Sequence, residues 1–279
     1  MAQITNETNI TLTIPRLAMF QSFAGFGKCS TTIALPVISA MQVQVCPVPT
    51  SILSSHLAYA TVQKTDYTPY LQDYVSAWKV IGATFDGLYC GFMNHLHQIN
   101  VAEDFLSHFK PKTFLLDPIM GDHGKLYSSV DDTICDALKK LAGKADILTP
   151  NLTETCLLTG TPYKEDWSEQ ELCKLILNLA QICPGKIAMT GIEQADRYIT
   201  YIYEDGKIKI SETPSAGPSK HGTGDLFASI LVADAIHHRD FTESVKKASD
   251  FIALCIAESE KRQIPEKEGL LFEPFLHTL

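Results

Sequence analysis

His221-Gly222-Thr223-Gly224-Asp225 runs straight into the apolar stretch Leu226–Ala233. A Gly-x-Gly turn opening an apolar helix aims unpaired backbone N–H groups and the positive end of the helix dipole at whatever lies before it, which suits a phosphate. Asp225 falls in the first turn, where the dipole favours an ionised carboxylate able to take a proton from a hydroxyl beside that phosphate. An isolated Gly-x-Gly-Asp is more often a turn with a capping acid, so the motif gains weight only from its company. Asp117-Pro118-Ile119-Met120-Gly121-Asp122 follows a strand-like run and sets two carboxylates five residues apart in a turn. Such a pair can hold Mg²⁺ through its waters while nucleotide phosphates complete the shell; the plain alternative is an exposed Asp-Pro turn. Thr149-Pro150-Asn151-Leu152-Thr153-Glu154 also follows a strand-like run. Asn151 and Glu154 have the spacing of a capping box, and the same spacing lets both face a metal and phosphates from one turn. A fourth segment, Phe20 to Cys29, is a glycine-bearing loop with neither GxGxxG nor a Walker A pattern, which removes support for dinucleotide-fold dehydrogenases and P-loop enzymes.

These segments need a scaffold that brings them to one edge. Strand-length apolar runs at Leu17–Phe20, Val43–Val48, Gly87–Cys90, Thr113–Asp117, Asp146–Leu148 and Lys186–Thr190 alternate with stretches of helical periodicity. Leu71, Tyr74, Val75, Trp78 and Ile81 share one helical face, as do Leu172, Leu175, Ile176, Leu179 and Ile182. That alternation is the pattern of parallel βαβ units, and it predicts an α/β fold of three layers, α/β/α, around a mostly parallel central sheet. Pro36 must lie early in a helix over 30–41 or kink it. Asp205-Gly206 between two β-rich runs predicts a hairpin. In open α/β sheets ligands bind beyond the carboxyl ends of the strands, where all four segments fall. Residues 1–15, polar and ending at Pro15, read as an N-terminal tail or edge segment, and 16–279 as a single domain.

The chain has 279 residues, 45% hydrophobic and 20% charged, an ordinary globular composition. Its formal net charge of −9 offers no basic field for nucleic acid or an anionic membrane, so a small molecule is the expected partner. No apolar run reaches the ~18 residues of a membrane helix, and no signal-peptide pattern opens the chain, so a cytoplasmic location is expected. Eight cysteines show no CxxC or zinc-ligand spacing, and most are expected to be buried thiols. His95 and His97, like His237 and His238, lack the i, i+4 spacing of paired ligands and are expected at the surface or at helix ends.

Taken together, GFGKCS with ALPVISAM, VCPVPTSILSSH, DPIMGDHGKLYS, ADILTPNLTE and HGTGDLFAS resemble the ribokinase-like superfamily, and within it the pyridoxal/pyridoxamine kinase branch, roughly from Arg16 to Glu258. The resemblance implies a ribokinase-like kinase domain, usually a homodimer, that phosphorylates the hydroxymethyl group of a vitamin B6 vitamer with ATP and Mg²⁺ and leaves a monovalent-cation requirement open. By matching positions it implies Asp225 as catalytic base and Gly222, Thr223 and Gly224 as the anion hole. It implies Asp117, Asp122 and Glu154 around Mg²⁺, Thr149, Asn151 and Thr190 at the ATP phosphates, and Lys125 as an extra cation. Ser22, His56 and Phe92 would contact the acceptor, with the adenine near residues 215–221. The chain departs from the branch at Leu57, where a threonine hydroxyl is usual, and at Phe92, where some relatives have tyrosine. A hydroxymethylpyrimidine kinase is the nearest alternative, since it uses the same scaffold and base on a similar heteroaromatic alcohol. A binding module without turnover is the other, and the intact Asp225 and glycine turn oppose it.

Overall fold

The computed structural model describes residues 14–279, so the reading of residues 1–15 as a tail or edge segment falls almost wholly outside the described residues. From Arg16 onward, apolar runs become strands and amphipathic stretches become helices, as their periodicities require. The strands are β1 (Arg16–Ala24), β2 (Gln44–Leu53), β3 (Lys64–Asp66), β4 (Gly87–Cys90), β5 (Thr113–Leu116), β6 (Gly121–Asp122), β7 (Lys125–Leu126), β8 (Ile147–Leu148), β9 (Lys186–Gln194), β10 (Arg197–Glu204) and β11 (Lys207–Pro214). The helices are α1 (Thr31–Ala40), α2 (Leu71–Val80), α3 (Leu96–Phe109), α4 (Asp132–Ala142), α5 (Leu152–Thr159), α6 (Glu169–Ala180), α7 (Thr223–Ile236) and α8 (Phe241–Lys261).

Nine strands form one sheet in the order β11-β10-β9-β8-β5-β4-β1-β2-β3, and β6 and β7 form a separate hairpin. The six strands from β9 to β2 pair in parallel, with antiparallel additions at both ends. The chain leaves β1 toward β2 on one side and returns through β4 on the other, so the carboxyl end of β1 is a topological switch point. The hairpin forms at Asp205-Gly206, with φ of 50° and 76° at those residues, the left-handed pair that a two-residue turn demands.

The sheet's two faces bury separate apolar layers. Helices α2 to α6 cover one, α1, α7 and α8 the other. Strands β1, β2 and β9 run past the apolar runs of the sequence, to Ala24, Leu53 and Gln194, because backbone pairing continues through the polar residues that interrupt those runs. A bulge between Gln21 and Phe23 breaks the β1–β2 register there. Pro47 and Pro49 are tolerated inside β2 because β3 covers its outer side only from Ser51 to Leu53. Pro36 stands inside α1, where it forfeits one backbone hydrogen bond. The cysteines are all free, four of them buried. No described helix is long and apolar enough to cross a membrane.

The first layer is centred on Phe105, fully buried, with ring centroids 4.4 Å from Phe109, 5.1 Å from Phe85 and 5.7 Å from Phe20. Truncating it removes apolar burial and these edge contacts together. Phe105→Ala is expected to cost about 3–5 kcal/mol in urea unfolding, and Phe105→Leu a fraction of that. Equal losses for the two variants would mean that the ring contacts, and not the volume filled, carry the contribution.

Candidate active site

Gly222 caps the start of α7 with φ of 90°, and a Cβ there would lie 2.1 Å from Ile33 Cδ1 and 2.9 Å from the Lys28 carbonyl oxygen. The turn is therefore pressed against α1 and the glycine loop, which explains why no other residue suits this position. Gly224 differs: a Cβ there would meet nothing within 4 Å, so the ground before the helix is open. Asp225 follows in the first turn, part-buried. Its Oδ2 accepts a hydrogen bond from the Ser30 backbone N–H at 2.7 Å, and its Oδ1 one from Gln21 Nε2 at 3.1 Å. Burial pushes its carboxyl up to about 6 against the pull of these two donors.

Gln21, at the carboxyl end of β1, was not singled out by the sequence motifs. It is fully buried, and its Oε1 accepts from the Phe92 N–H at 2.8 Å while Nε2 also reaches the Tyr89 hydroxyl at 3.3 Å. Its sequence signal is slight: a polar residue directly after the apolar run of the first strand.

The second wall is acidic. Asp117 leaves the end of β5 with its N–H on the Cys90 carbonyl at 2.8 Å. Burial, then the charge of Asp225, pushes its carboxyl up to about 8. Glu154 is buried as well, and its carboxyl is pushed well up by burial and by Asp117. Glu154 Oε1 accepts from the Met120 N–H at 3.1 Å and Oε2 from the Asn151 N–H at 2.8 Å. Asn151 Oδ1 accepts from the Glu154 N–H at 2.9 Å, and its Nδ2 donates to the Gly121 carbonyl at 2.9 Å. The capping box of the sequence is thus real, and it also laces α5 to the Asp117–Asp122 loop. Thr190 lies beside Asn151 in a parallel bridge and donates its N–H to the Pro150 carbonyl at 2.9 Å. Thr149 Oγ1 is buried without a hydrogen-bond partner among the described residues. Asp122 stands apart on the β6–β7 hairpin, exposed, accepting from the His123 N–H at 2.8 Å.

Among the described residues no lysine, arginine or histidine pairs with Asp117, Glu154 or Asp225. Nor do three His, Cys, Asp or Glu side chains converge closely enough to cage an ion by themselves. Unpaired buried acids with an orphaned hydroxyl beside them fit a hard cation whose shell is completed by water and phosphate oxygens, as Mg²⁺ prefers.

On the opposite wall, Ser22 is buried and donates its hydroxyl at 2.9 Å to Oγ of Ser30, the residue whose N–H holds Asp225. Phe92 is half-buried, its N–H held by Gln21 and its carbonyl by the Thr50 hydroxyl at 2.8 Å. His56 is committed internally: Nδ1 accepts from the Ala58 N–H at 3.2 Å, which leaves Nε2 to donate to the Lys267 carbonyl at 2.8 Å. Leu57 is 61% exposed. Asp225, Ser22 and Phe92 are therefore linked to one another through Gln21 and Ser30, whereas His56 and Asp122 serve neighbouring turns.

The segment after α8, which the sequence left without a role, straps this edge from outside. Lys28 of the glycine loop donates to the Leu270 carbonyl at 2.8 Å, pairs with Glu273 at 3.0 Å and lies over the Phe272 ring. Tyr59 bonds Glu268 at 3.2 Å, and the buried Lys220, beside the Gly222 turn, pairs with Glu260 at 2.7 Å and with the Ile264 carbonyl at 3.1 Å.

The profile of the family described as Phosphomethylpyrimidine kinase matches residues 35–269 of this chain. A Bacteroides thetaiotaomicron protein named provisionally as a phosphomethylpyrimidine kinase has a similar crystal structure, with TM-score 0.92 and 29% identity over 96% of this chain and 94% of that one. Its orthorhombic form, crystallised with pyridoxal, gives TM-score 0.88 and 28% identity over 95% and 96%. A pyridoxal kinase of Dictyostelium discoideum is 24% identical over 93% of this chain and 92% of its own length. The hydroxymethylpyrimidine/phosphomethylpyrimidine kinase of Haemophilus influenzae is 27% identical, over 60% of this chain and 63% of that enzyme.

The two glycines of the turn separate packing from anion capture. Gly222→Ala is expected to lower stability by about 2 kcal/mol or more, through strain at positive φ and the clash with Ile33. Gly224→Ala is expected to melt within a degree or two of the parent yet to bind ATP at least about tenfold more weakly, because its methyl intrudes on the open ground before the helix. Undiminished ATP binding by a folded Gly224→Ala variant would remove the turn from the phosphate site.

Proposed function

The chain belongs to the phosphomethylpyrimidine kinase family, and from that premise we propose that it transfers the γ-phosphoryl group of ATP to the hydroxymethyl group of a B6 vitamer: pyridoxal, pyridoxine or pyridoxamine. The observation that carries the reading is Asp225, held through both carboxylate oxygens at the start of α7, beside a glycine turn and an unpaired acidic wall. Pyridoxal in crystals of the similar Bacteroides thetaiotaomicron protein supports the choice of acceptor.

Phosphoryl transfer through a loose transition state asks for positioning and charge stabilisation more than for covalent chemistry. Ionised Asp225 takes the proton of the acceptor hydroxyl as that oxygen bonds to phosphorus and the bond to the departing ADP oxygen breaks; the proton then leaves from the Asp225 carboxyl to solvent. The N–H groups of Gly222 and Gly224 are free to face the charge that builds on the transferring group, with that of Thr223, held only at 3.4 Å by the Lys220 carbonyl, between them. Thr149, Asn151 and Thr190 line the phosphates. Asp117 and Glu154 would hold Mg²⁺ through water and phosphate oxygens, with the exposed Asp122 adding negative charge from the hairpin beside them; when bound, the ion neutralises charge between the phosphates. Phe92 offers a ring wall to the acceptor and Ser22 a hydroxyl to its polar edge.

A hydroxymethylpyrimidine acceptor is the second reading, favoured by the family profile and the Haemophilus influenzae relative. One experiment separates the two. Protein with Mg-ATP, pyridoxal, pyridoxine, pyridoxamine and hydroxymethylpyrimidine is expected to yield a phosphorylated B6 product by mass spectrometry, and Asp225→Asn to lower its rate on the order of 10²–10⁴-fold. A phosphorylated pyrimidine alone would decide for the second reading.

Turnover also has an expected pH limb. Asp225 works ionised, and its carboxyl is raised to about 6, so the rate should hold above that value and fall as pH drops through it. A flat profile between pH 5 and 8 would mean that another group takes the proton.

A further inference from the structure

We propose that Gln21 is a positioning residue for phosphoryl transfer: one side-chain amide fixes the base Asp225 relative to the acceptor wall at Phe92. The inference rests on the reading of Asp225 as the base.

The direction of the amide follows from its partners. The Phe92 N–H can only donate, so Oε1 must face it at 2.8 Å. The NH₂ group is then left to Asp225 Oδ1 at 3.1 Å and the Tyr89 hydroxyl at 3.3 Å, both acceptors for it. No solvent reaches the residue, and a Cβ on Gly91 would lie 2.1 Å from its Nε2, so the backbone before Phe92 leaves room for this amide and little else. The Ser30 N–H anchors the other carboxylate oxygen. Two donors from different elements define the plane of a carboxylate, whereas one alone lets it pivot.

The network continues beyond the amide. The Phe92 carbonyl accepts from Thr50 Oγ1 at 2.8 Å, and the Thr50 carbonyl from Gln98 Nε2 at 3.1 Å. Gln98 also donates to Thr68 Oγ1 at 2.7 Å, and its Oε1 takes the Asn94 N–H at 2.9 Å. The residue that carries the wall is thus gripped at both its N–H and its C=O, and Gln21 is the link from that wall to the base. A base displaced by even an ångström from the attacking hydroxyl loses much of its effect.

The test compares Gln21→Met, Gln21→Glu and Asp225→Asn in the full chain with ATP and pyridoxal. Met fills the space without donors. Glu is isosteric, keeps an acceptor for the Phe92 N–H and sets an acid against Asp225, so it covers the case in which Met fails to fold. Both Gln21 variants are expected to lower kcat about 10–100-fold while KM for ATP stays within threefold. In an Asp225→Asn background Gln21→Met should cost less than a further threefold, because it acts through that carboxylate. Folded Gln21 variants with kcat within threefold of the parent, or a full additional loss on top of Asp225→Asn, would overturn the proposal. So would a fall in kcat matched by equal loss of ATP affinity, which marks a general structural role. Undiminished turnover in Asp225→Asn would instead remove the base reading itself, and the assignment of Gln21 with it.

Discussion

Three carboxylates share the carboxyl edge of the sheet without a cation among the described residues, and most of the local architecture answers that constraint. Ionised groups taken from water need either an opposite charge or enough donors to replace hydration. Here the donors are chiefly backbone: Met120 and Asn151 for Glu154, Ser30 for Asp225, with the Gln21 amide added. The donors come from the Asp117–Asp122 loop, the glycine loop and β1 as well as from Glu154's own capping turn, so satisfying the acids ties these segments together. Burial first, and the repulsion between the acids after it, keep Asp117 and Glu154 well above the ordinary carboxylate range, a cost that a bound cation would relieve.

The two lysines beside the glycine loop and the Gly222 turn are both drawn away from the acids, while Lys125 stays exposed on the β6–β7 hairpin. Lys28 is spent on the Leu270 carbonyl, Glu273 and the Phe272 ring, and Lys220 on Glu260 and the Ile264 carbonyl. The C-terminal strap therefore has an electrostatic effect as well as a mechanical one. It pins the glycine loop and the Gly222 turn from outside, and it holds their ammonium groups where they cannot neutralise the acids. A site arranged so keeps a demand for positive charge that, on the proposed reading, a cation and phosphates arriving together would meet.

The sequence carried much of this plan because periodicity and turn chemistry are local. The alternation of runs predicts the α/β layers, Asp205-Gly206 its hairpin, and Asn151 with Glu154 their capping box, all of which hold. Long-range pairing left weaker traces. Gln21 meets Asp225 across 204 residues, and nothing in the composition of β1 announces it. The strap is a similar case, since Lys28 and Glu273 lie 245 residues apart. The apolar runs stop short of the strand ends for a related reason: buried polar residues such as Gln21 and Ser22 interrupt the hydrophobic pattern, while backbone pairing continues to Ala24 and Leu53.

The acceptor side shows how burial changes the meaning of a substitution. Leucine at position 57 removes a hydroxyl that the resemblance expects, yet the side chain is 61% exposed, so its loss strands no buried partner in this structure. His56 is held by its own turn and by the Lys267 carbonyl, and so shapes the loop more than it offers a free ring nitrogen. Polar recognition then falls to groups already beside the base. Ser22 and Ser30 form a buried hydroxyl pair, and a hydroxyl can rotate between donating and accepting. Such a pair can meet either a ring nitrogen or a ring hydroxyl without leaving an orphan, whereas the fixed amide of Gln21 can serve only one arrangement. On the proposed reading the edge joins an adaptable contact for the acceptor to a rigid one for the base, and the rigid one would set where transfer can occur.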